Sequence, residues 1–512
     1  MYLVRHTIIG IILTFTLFYI TSMGAYSMLS NNDPLPFYSS LYPYDYLSTW
    51  ERDYYRGLDE DMYQENWALS ISPFRQTADT GKNLFDNTVP LGDLYGRWNM
   101  LGLFYPSNST NPGSADPLNL LPLVGLVVTN SQNCSNNGMC NLISSSCCPT
   151  VTSVCDSTVN CPEIIDPRLD DPTKQVGYFS VPLEYRKYGI RFQYDLRLFR
   201  EFGIRIQFGA ADITQTITDY IDLTLTSSGT PLSGVGGFGG ACDGATGCLD
   251  SGVACKEIIH QKIMTQREVF MRALRLCDQD FHTKGLEDTI VNLFWQKVFP
   301  VNDRCDGWPF FLWVPHVSLE VILPTSHKVN ASDLLAIPLG NNGHTGFGFD
   351  AGMDFDFINS IEIGIHASMT KWTSKRHCNV PVPTNSNQSR LYPFRANFTR
   401  EPGTNWTFMF SMNAHYFLDR LSGYAAYQVV NHSQDNFCNI VSIPSIRTGV
   451  LPTTVMKKYM SEISRWRAHV FDFGLTYDIA PHASLGFFWQ SPWARTNAYR
   501  STTVMLAFNF RF

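Results

Sequence analysis

Residues 501–512 read STTVMLAFNFRF, and apolar side chains alternate with other residues up to the end of the chain. One face of this segment is apolar throughout and consists of Val504, Leu506, Phe508, Phe510 and Phe512. The opposite face includes Asn509 and Arg511. A period of two predicts a β-strand, because successive side chains of a strand point to opposite faces. Chain ends normally fray, so a strand with large apolar side chains up to its last residue is expected to face lipid.

The composition favours a membrane barrel over a cytosolic enzyme. Charged residues make up only 16% of the 512 residues, whereas aromatic residues make up 14%, and a soluble protein usually has about 25% charged residues. After residue 30, no apolar run reaches the ~20 residues that a membrane-spanning helix needs. The net charge of -7 argues against general nucleic-acid binding.

The amino terminus has the organisation of a secretion signal. A basic start at Arg5 and His6 precedes an apolar stretch at residues 8–20 and a small-residue site at residues 25–27. This order predicts a signal peptide over residues 1–27. An uncleaved anchor helix is the alternative, although the apolar stretch is short for it.

The cysteines predict disulfide bonds. An exported chain with 13 cysteines is expected to form disulfides and to leave one thiol over. The candidates lie in polar stretches between the predicted strands: Cys134, Cys140, Cys147, Cys148, Cys155, Cys161, Cys242, Cys248, Cys255, Cys277, Cys305, Cys378 and Cys438. Their spacing lacks a paired Cys-x-x-Cys zinc pattern. We therefore predict stapled loops, no metal and no cofactor.

A hairpin unit recurs along the chain, in which two alternating strands are joined by about two to five residues. The segments are LRLFREFGIRIQF, FLWVPHVSLEVIL, DFDFINSIEIGIH, YFLDRLSGYAAY and YDIAPHASLGFFW. The connections between hairpins are much longer. Short turns at one end and long loops at the other are typical of transmembrane β-barrels.

The predicted fold is all-β, an antiparallel transmembrane β-barrel of about twelve strands. The strands are placed near residues 92–105, 178–198, 202–212, 308–314, 317–323, 344–356, 359–370, 405–416, 421–430, 466–478, 483–490 and 501–512. With this count both ends of the barrel lie at the short-turn end, and every cysteine lies in a long loop. A soluble sandwich would also alternate, with its apolar face inward.

A barrel of 14 strands is the alternative. WALSISPFRQ, within residues 28–91, alternates well enough to be a strand, and the run 177–198 changes phase near Tyr188. A bulge in one long strand is the preferred interpretation of that phase change. Residues 28–91 are then a periplasmic lead-in or plug, and residues 92–512 form the barrel.

Two long loops are predicted within the barrel. Residues 106–177 form a Cys-rich loop. Residues 213–307 begin Gly-rich and then turn helical, because KEIIHQKIMTQREVFMRALRLCDQDF carries an apolar stripe at helical spacing. This loop is expected to pack on itself or on the barrel rim, or to fold into the pore.

The terminal LAFNFRF resembles the last strand that Gram-negative outer-membrane β-barrel proteins present to the barrel-assembly machinery, with aromatics at Phe508, Phe510 and Phe512. The resemblance covers the architecture of residues 92–512. It implies a location in the bacterial outer membrane, with the long loops facing the cell exterior. Outer-membrane lipid and the assembly machinery are the implied partners.

Charged residues on the predicted inner face are the candidate pore lining: Arg191, Asp195, Arg197, Arg205, Asp350, Asp354, Glu362 and His366. A turn centred near residue 201 places Arg197 opposite Arg205 and Asp195 opposite Gln207. A turn centred near residue 358 places Asp354 opposite Glu362 and Asp350 opposite His366.

These two groups predict a transverse electric field across a water-filled pore, which would select solutes by charge. Salt bridges in a packed, closed interior are the alternative. No GxSxG, HExxH or P-loop motif occurs in the chain, so we expect no enzyme.

Two functions follow from this architecture. The first is a passive porin for small solutes. The second is a surface protein whose barrel anchors disulfide-stapled loops that bind host or cell-surface ligands.

Overall fold

The computed structural model describes residues 67–94, 96–99, 178–198, 201–223, 267–268, 271, 276–301, 311–330, 332–357, 361–383, 391–392, 394–418, 420–442, 453–480 and 482–512. Within this part of the chain, a closed 12-strand antiparallel barrel is present. Its wall consists of β1 (Trp67–Ala78), β6 (Leu183–Arg197), β7 (Phe202–Ile217), β10 (Thr289–Gln296), β12 (Phe311–Leu323), β13 (Gly346–Phe357), β14 (Ile361–Trp372), β17 (Asn405–Leu418), β18 (Leu421–His432), β20 (Trp466–Ala480), β21 (Ala483–Thr496) and β23 (Thr502–Arg511). Each strand pairs with the next in this order, β23 pairs with β1, and the ring has no edge.

The carboxyl terminus is ordered because it forms part of the closed wall. Ala68 of β1 lies opposite Arg511 of β23. The backbone of Trp67 and that of Phe512 exchange hydrogen bonds of 3.2 and 2.9 Å, and their rings stack at 4.1 Å. The alternation of residues 501–512 is thus the pattern of a wall strand with a partner on both sides.

The outer surface of the barrel is apolar and its inner surface is polar. On β23, Val504, Leu506 and Phe508 are 38–44% exposed, whereas Asn509 is 1% exposed. The same outward band continues around the wall: Phe208, Leu293, Leu319, Phe347, Ile365, Phe410, Phe473 and Phe487. A soluble sandwich would bury its apolar face, so this is a transmembrane barrel of the outer-membrane type.

The two ends of the barrel differ as predicted. Short connections follow β6, β13, β17 and β20, and both Trp67 and Phe512 lie at the same end as these turns. We name this the short-turn end. Residues 79–182, 218–280, 324–345, 373–404 and 433–465, together with the short connection 497–501, join strands at the opposite end, which we name the long-loop end.

The prediction of the first strand is wrong. The wall begins with β1, which pairs with β23 on one side and β6 on the other, so residues 67–78 are neither a lead-in nor a plug. Residues 28–66 lie outside the described residues. Within the predicted strand 92–105, Trp98–Asn99 forms the short strand β4, and residues 100–105 are not described.

The predicted hairpin at residues 308–323 is also wrong, because β12 is one strand. Proline usually interrupts a sheet since it lacks an N–H. Here Pro315 lies where the partner is interrupted: β10 ends opposite His316, and the short strand β11 (Phe299–Val301) begins opposite Trp313. Because β12 replaces two predicted strands, the predicted number of wall strands falls by one. The wall strand β10, in a segment predicted to be helical, restores that number.

The predicted bulge in β6 is absent. Leu183 to Arg197 keep one register along β7. Residues 213–217 end β7, and β9 (Phe281–Leu286), β10 and β11 occupy residues 281–301, so the predicted loop 213–307 is shorter than expected. Its apolar helical stripe lies mostly outside the described residues, as does the Cys-rich loop 106–177.

The cysteines that the structure describes are free thiols. Cys277, Cys378 and Cys438 form no disulfide bond, so the prediction is wrong for these three, and the others lie outside the described residues. Cys305, which was predicted to lie in a long loop, is among the residues outside the described part of the chain.

Small sheets extend the barrel at the long-loop end. One, which we name the loop module, combines β15 (Lys375–Val382), β16 (Phe394–Glu401), β19 (Asn436–Ser442) and the helix α1 (Thr453–Ser464). Its core includes Val380, Phe398, Phe437 and Met460. The other two sheets consist of β2 (Thr80–Lys82), β3 (Thr88–Pro90) and β22 (Ala498–Tyr499), and of β4, β5 (Tyr178–Ser180) and β8 (Ile221–Asp222). Among the described residues, no helix has the length and apolarity to cross a membrane.

Candidate pore lining

One group of inward-facing charges lies on β6 and on the link between β9 and β10. The Glu287 carboxylate accepts hydrogen bonds of 2.8 Å from both Nε and Nη2 of Arg191. Lys187 Nζ lies 2.7 Å from the same carboxylate. Gly209 makes this approach possible, because a Cβ there would lie 2.3 Å from Glu287 Oε2. Two cations and one buried carboxylate therefore share one site.

A second ion pair lies nearer the short-turn end. Asp195 is directly opposite Arg205, and Arg205 Nε donates to Asp195 Oδ1 at 2.7 Å. Arg197 lies opposite Gly203, so the predicted Arg197–Arg205 and Asp195–Gln207 pairs are wrong. The turn centre lies one residue earlier than predicted, which replaces two like charges by two opposite charges.

Aromatic rings support both arginines. The Arg191 guanidinium lies 4.1 Å from the centroid of the Phe74 ring, and the Arg205 guanidinium lies 5.4 Å from that of Phe294. Cation–π contacts of this kind restrict where a guanidinium rests. The arginines are therefore held in place on the wall.

The connection 324–345 folds inward across the long-loop end; we name it the inward loop. The Asp288 carboxylate accepts from the backbone N–H groups of Ser326 at 3.0 Å and Asn341 at 2.5 Å. Lys187 Nζ donates to the Leu339 carbonyl at 3.5 Å. These bonds tie both ends of the loop to the β6–β10 side of the barrel.

Apolar residues of the inward loop pack inside the wall. Leu335, Ile337 and Leu339 are at most 2% exposed and join the cluster that contains Leu183 and Ile213. This contact explains why the alternation of β6 changes phase near Tyr188. The inner face of β6 is apolar where it meets the inward loop and polar closer to the short-turn end. Residues 213–307 were predicted to pack on themselves or on the barrel rim, or to fold into the pore, whereas the loop that folds inward consists of residues 324–345.

The second group of ionisable residues lies on β12, β13 and β14. His366 Nδ1 and His316 Nε2 are 3.0 Å apart. His366 Nε2 lies 3.3 Å from Asp354 Oδ1, and His316 Nε2 lies 3.6 Å from Asp350 Oδ1. All but Asp350 are at most 7% exposed. Two imidazoles thus lie between two carboxylates on one side of the interior.

Two inward glycines make room for these imidazoles. A Cβ on Gly352 would lie 2.5 Å from His316 Nε2, and one on Gly364 would lie 2.4 Å from Asp354 Oδ1. Gly352 lies opposite His366, and Gly364 lies opposite Asp354. The imidazole rings of His316 and His366 therefore lie over the backbone of these two glycines, where no side chain occupies the space.

The predicted cross-strand partners on β13 and β14 are wrong, because the centre of the turn lies one residue away from its predicted position. Asp356, rather than Asp354, lies opposite Glu362, and Ser368, rather than His366, lies opposite Asp350. Every predicted residue is still on the wall, since moving the turn centre by one residue changes partners but not faces. Asp350, Asp354 and His366 still come together through His316.

Sequence reasoning missed Lys187, Glu287, His316 and His415 as lining residues. His316 was placed in a Pro-His turn, and Glu287 in a helical loop. The alternation of TIVNLFWQ at residues 289–296 is the signal that could have placed Glu287 beside the wall.

The group around His366 does not have the geometry of a Ser-His-Asp triad. Ser411 Oγ lies 3.4 Å from His366 Nε2, and Asp354 also approaches Nε2. In a triad the carboxylate holds the opposite ring nitrogen, which here contacts His316. The arrangement is suited to holding protons or cations on the wall rather than to activating a hydroxyl.

Outside the membrane-spanning strands, Asp435 joins the loop module to the barrel. Its carboxylate accepts from Arg400 Nε at 2.8 Å, from the Gly403 N–H at 2.7 Å and from His432 Nε2 at 3.0 Å. Burial alone would raise the pKa of Asp435, but the charge of Arg400 and the bond from His432 hold it well below its ordinary value. This buried ion pair fixes β16 against the end of β18.

No family model and no curated protein matches the chain. Among solved structures, the chain matches an outer membrane channel from Pseudomonas putida F1, at 7% identity and a TM-score of 0.40, covering 88% of this chain and 97% of the other. The CymD monoaromatic hydrocarbon channel is 8% identical, with a TM-score of 0.28 and coverage of 90% and 91%. The translocator domain of the autotransporter NalP from Neisseria meningitidis is 7% identical, with a TM-score of 0.29 and coverage of 93% and 100%. The assignment of the fold rests on the strand pairing of this chain itself.

Proposed function

We propose that the protein is a passive channel for small polar solutes in the bacterial outer membrane, with the long loops facing the cell exterior. The observation that carries the proposal is the polar inner face of the barrel, on which ionisable side chains form two separate groups. A polar, charged interior is typical of channel barrels.

The ion pairs within the first group support a field across the interior. Arg191 pairs with Glu287 and Arg205 with Asp195, on the same side of the wall. These arginines therefore do not neutralise Asp350 and Asp354 on β13, because β10 and β12 lie between β7 and β13. The side with Lys187 keeps an excess positive charge, and the side of β13 and β14 keeps its carboxylates.

The inward loop is the proposed selectivity element. It lies on the Lys187 side of the long-loop end, where a solute enters first. Lys187 donates to the Leu339 carbonyl, which holds the loop at the positively charged side of the interior, before the carboxylates of β13. The proposed substrates are small polar or zwitterionic molecules.

Liposome swelling with the refolded protein tests this function. Vesicles that contain the protein are expected to swell in iso-osmotic solutions of small sugars or amino acids, and swelling should slow as solute size rises. Protein-free vesicles and vesicles with heat-denatured protein are the controls. Swelling no faster than in these controls would exclude an open channel.

A second function is supported by the loop module, which has its own buried core and lies beyond the barrel wall. A channel does not need a separately packed sheet at its entrance. We propose as the second candidate that this module and residues 106–177, which lie outside the described part of the chain, bind a host or cell-surface ligand. Deleting residues 128–165 is then expected to abolish cell adhesion and leave swelling unchanged, whereas unchanged adhesion would reject a role of residues 106–177 in binding.

A further inference from the structure

Three inward-facing side chains come together near the short-turn end: Asp356 on β13, Glu362 on β14 and His415 on β17. Their ligand atoms all lie within 4.8 Å of one another, and His415 Nε2 is 3.1 Å from Glu362 Oε2. We propose that these residues bind a divalent first-row transition metal ion. The site does not depend on whether the barrel conducts solutes.

The register of three neighbouring strands forms the site. Asp356 lies directly opposite Glu362, and Asn413 lies opposite Glu362 on the other side. His415 follows two residues after Asn413 and therefore points inward as well. The pairing of β17 with β18 is irregular between Ala414 and Leu418, and such irregularities redirect a side chain. The imidazole thus reaches the carboxylates diagonally.

Burial makes a cation favourable at this position. Asp356 is 0%, Glu362 is 2% and His415 is 7% exposed. Carboxylates that face each other across two strands repel, and burial strengthens that repulsion because the surroundings screen it less than water does. A bound divalent ion would compensate both carboxylates at once and would accept the imidazole as a third ligand.

The donor set selects the kind of metal. Mg²⁺ and Ca²⁺ prefer oxygen ligands, whereas an imidazole with carboxylates suits Zn²⁺ and Mn²⁺. Zn²⁺ binds nitrogen and carboxylate oxygen at about 2.0–2.2 Å, which small rotations of these side chains would allow. Three protein ligands leave at least one position open for water or a solute. We therefore expect Zn²⁺ and Mn²⁺ to bind and Mg²⁺ not to compete.

The neighbouring imidazoles are less suited to this role. His316 and His366 already hydrogen-bond to each other at 3.0 Å, so those two nitrogens share a proton rather than facing a common point. His415, in contrast, directs Nε2 toward a carboxylate oxygen. The sequence-based expectation of no metal was drawn from the cysteine spacing, and Asp356, Glu362 and His415 are too far apart in the chain to form a recognisable ligand motif.

Isothermal titration of the refolded, EDTA-treated protein with Zn²⁺ and Mn²⁺ tests the proposal. The wild type should bind one ion, and Glu362→Gln and His415→Ala should each weaken that binding at least tenfold. Glu362→Gln keeps the shape of the side chain, and circular dichroism verifies that both variants fold. A tenfold excess of Mg²⁺ should leave Zn²⁺ binding in place.

The pair of Asp212 and His282, 2.8 Å apart on the outer face of the wall with only His282 exposed, provides a matched control. Asp212→Asn with His282→Ala removes a carboxylate and an imidazole without touching the proposed site. This double variant should bind Zn²⁺ like the wild type. The proposal is overturned if the wild type binds neither ion, or if the Glu362 and His415 variants bind as tightly as the wild type.

Discussion

Asp195 lies directly opposite Arg205 inside the barrel, and their side chains meet at 2.7 Å with 2% and 1% of each exposed. Removing the carboxylate leaves a buried guanidinium without this counter-charge, and breaking such a pair costs about 3–5 kcal/mol. We therefore expect Asp195→Ala to lower the free energy of unfolding by that amount, measured by urea titration in detergent micelles.

The exposed pair of Glu184 and Arg186 is the control for this prediction. These side chains are 2.6 Å apart but about half exposed, and such surface pairs contribute about 0–1 kcal/mol. Glu184→Ala should leave the unfolding midpoint nearly unchanged. Equal losses in Asp195→Ala and Glu184→Ala would contradict the buried position of Asp195.

Gly209→Ala is expected to disturb the Lys187–Arg191–Glu287 group. The new Cβ would lie 2.3 Å from Glu287 Oε2, so the carboxylate must move away from its partners. We expect a loss of about 1–3 kcal/mol in the free energy of unfolding, measured in the same micelles. Gly423→Ala, whose new Cβ meets only the ring of Phe417 at 3.1 Å, should be affected less, and the reverse order would refute this packing.

The Asp435 network predicts acid sensitivity of the loop module. Because the pKa of Asp435 is lowered in the folded state, its stabilising effect is complete above the unfolded-state pKa of about 3.9 and is lost as the pH falls below it. Limited proteolysis should thus cleave the wild-type module faster at pH 3 than at pH 7. Asp435→Asn should be cleaved fast at both pH values, and equal rates for variant and wild type at pH 7 would contradict this role.

Closure of the barrel depends on the contact between Trp67 and Phe512. Their stacked rings are expected to add about 0.5–1.5 kcal/mol beyond their burial. Phe512→Ala should reduce refolding yield and the unfolding midpoint, measured by circular dichroism in micelles. Phe85→Ala replaces a ring that is 60% exposed outside the wall and should change neither quantity.

The prediction of the terminal strand succeeded because its alternation is local, and the pattern alone shows which face of residues 501–512 meets lipid. Hairpin register was less predictable. The segments LFREF and FINS contain no Gly that would determine where the turn bends, and an error of one residue in the centre moved every cross-strand partner.

The missing wall strand had a different cause. A proline inside FLWVPHVSLEVIL predicts a turn on local grounds, and only the break between β10 and β11 opposite Pro315 makes one strand possible. Likewise, the meeting of Asp356, Glu362 and His415 depends on the register of three strands, which the order of residues along the chain does not contain.

The ion selectivity of single channels in a planar bilayer tests the central claim most directly. The reversal potential in a salt gradient should show a defined ion selectivity for the wild type, and Asp354→Asn should shift that selectivity toward anions by removing an inward carboxylate. Glu184→Gln, on the outer face, should leave it unchanged. A wild-type protein that folds and inserts but gives no conductance would contradict the proposal of a channel.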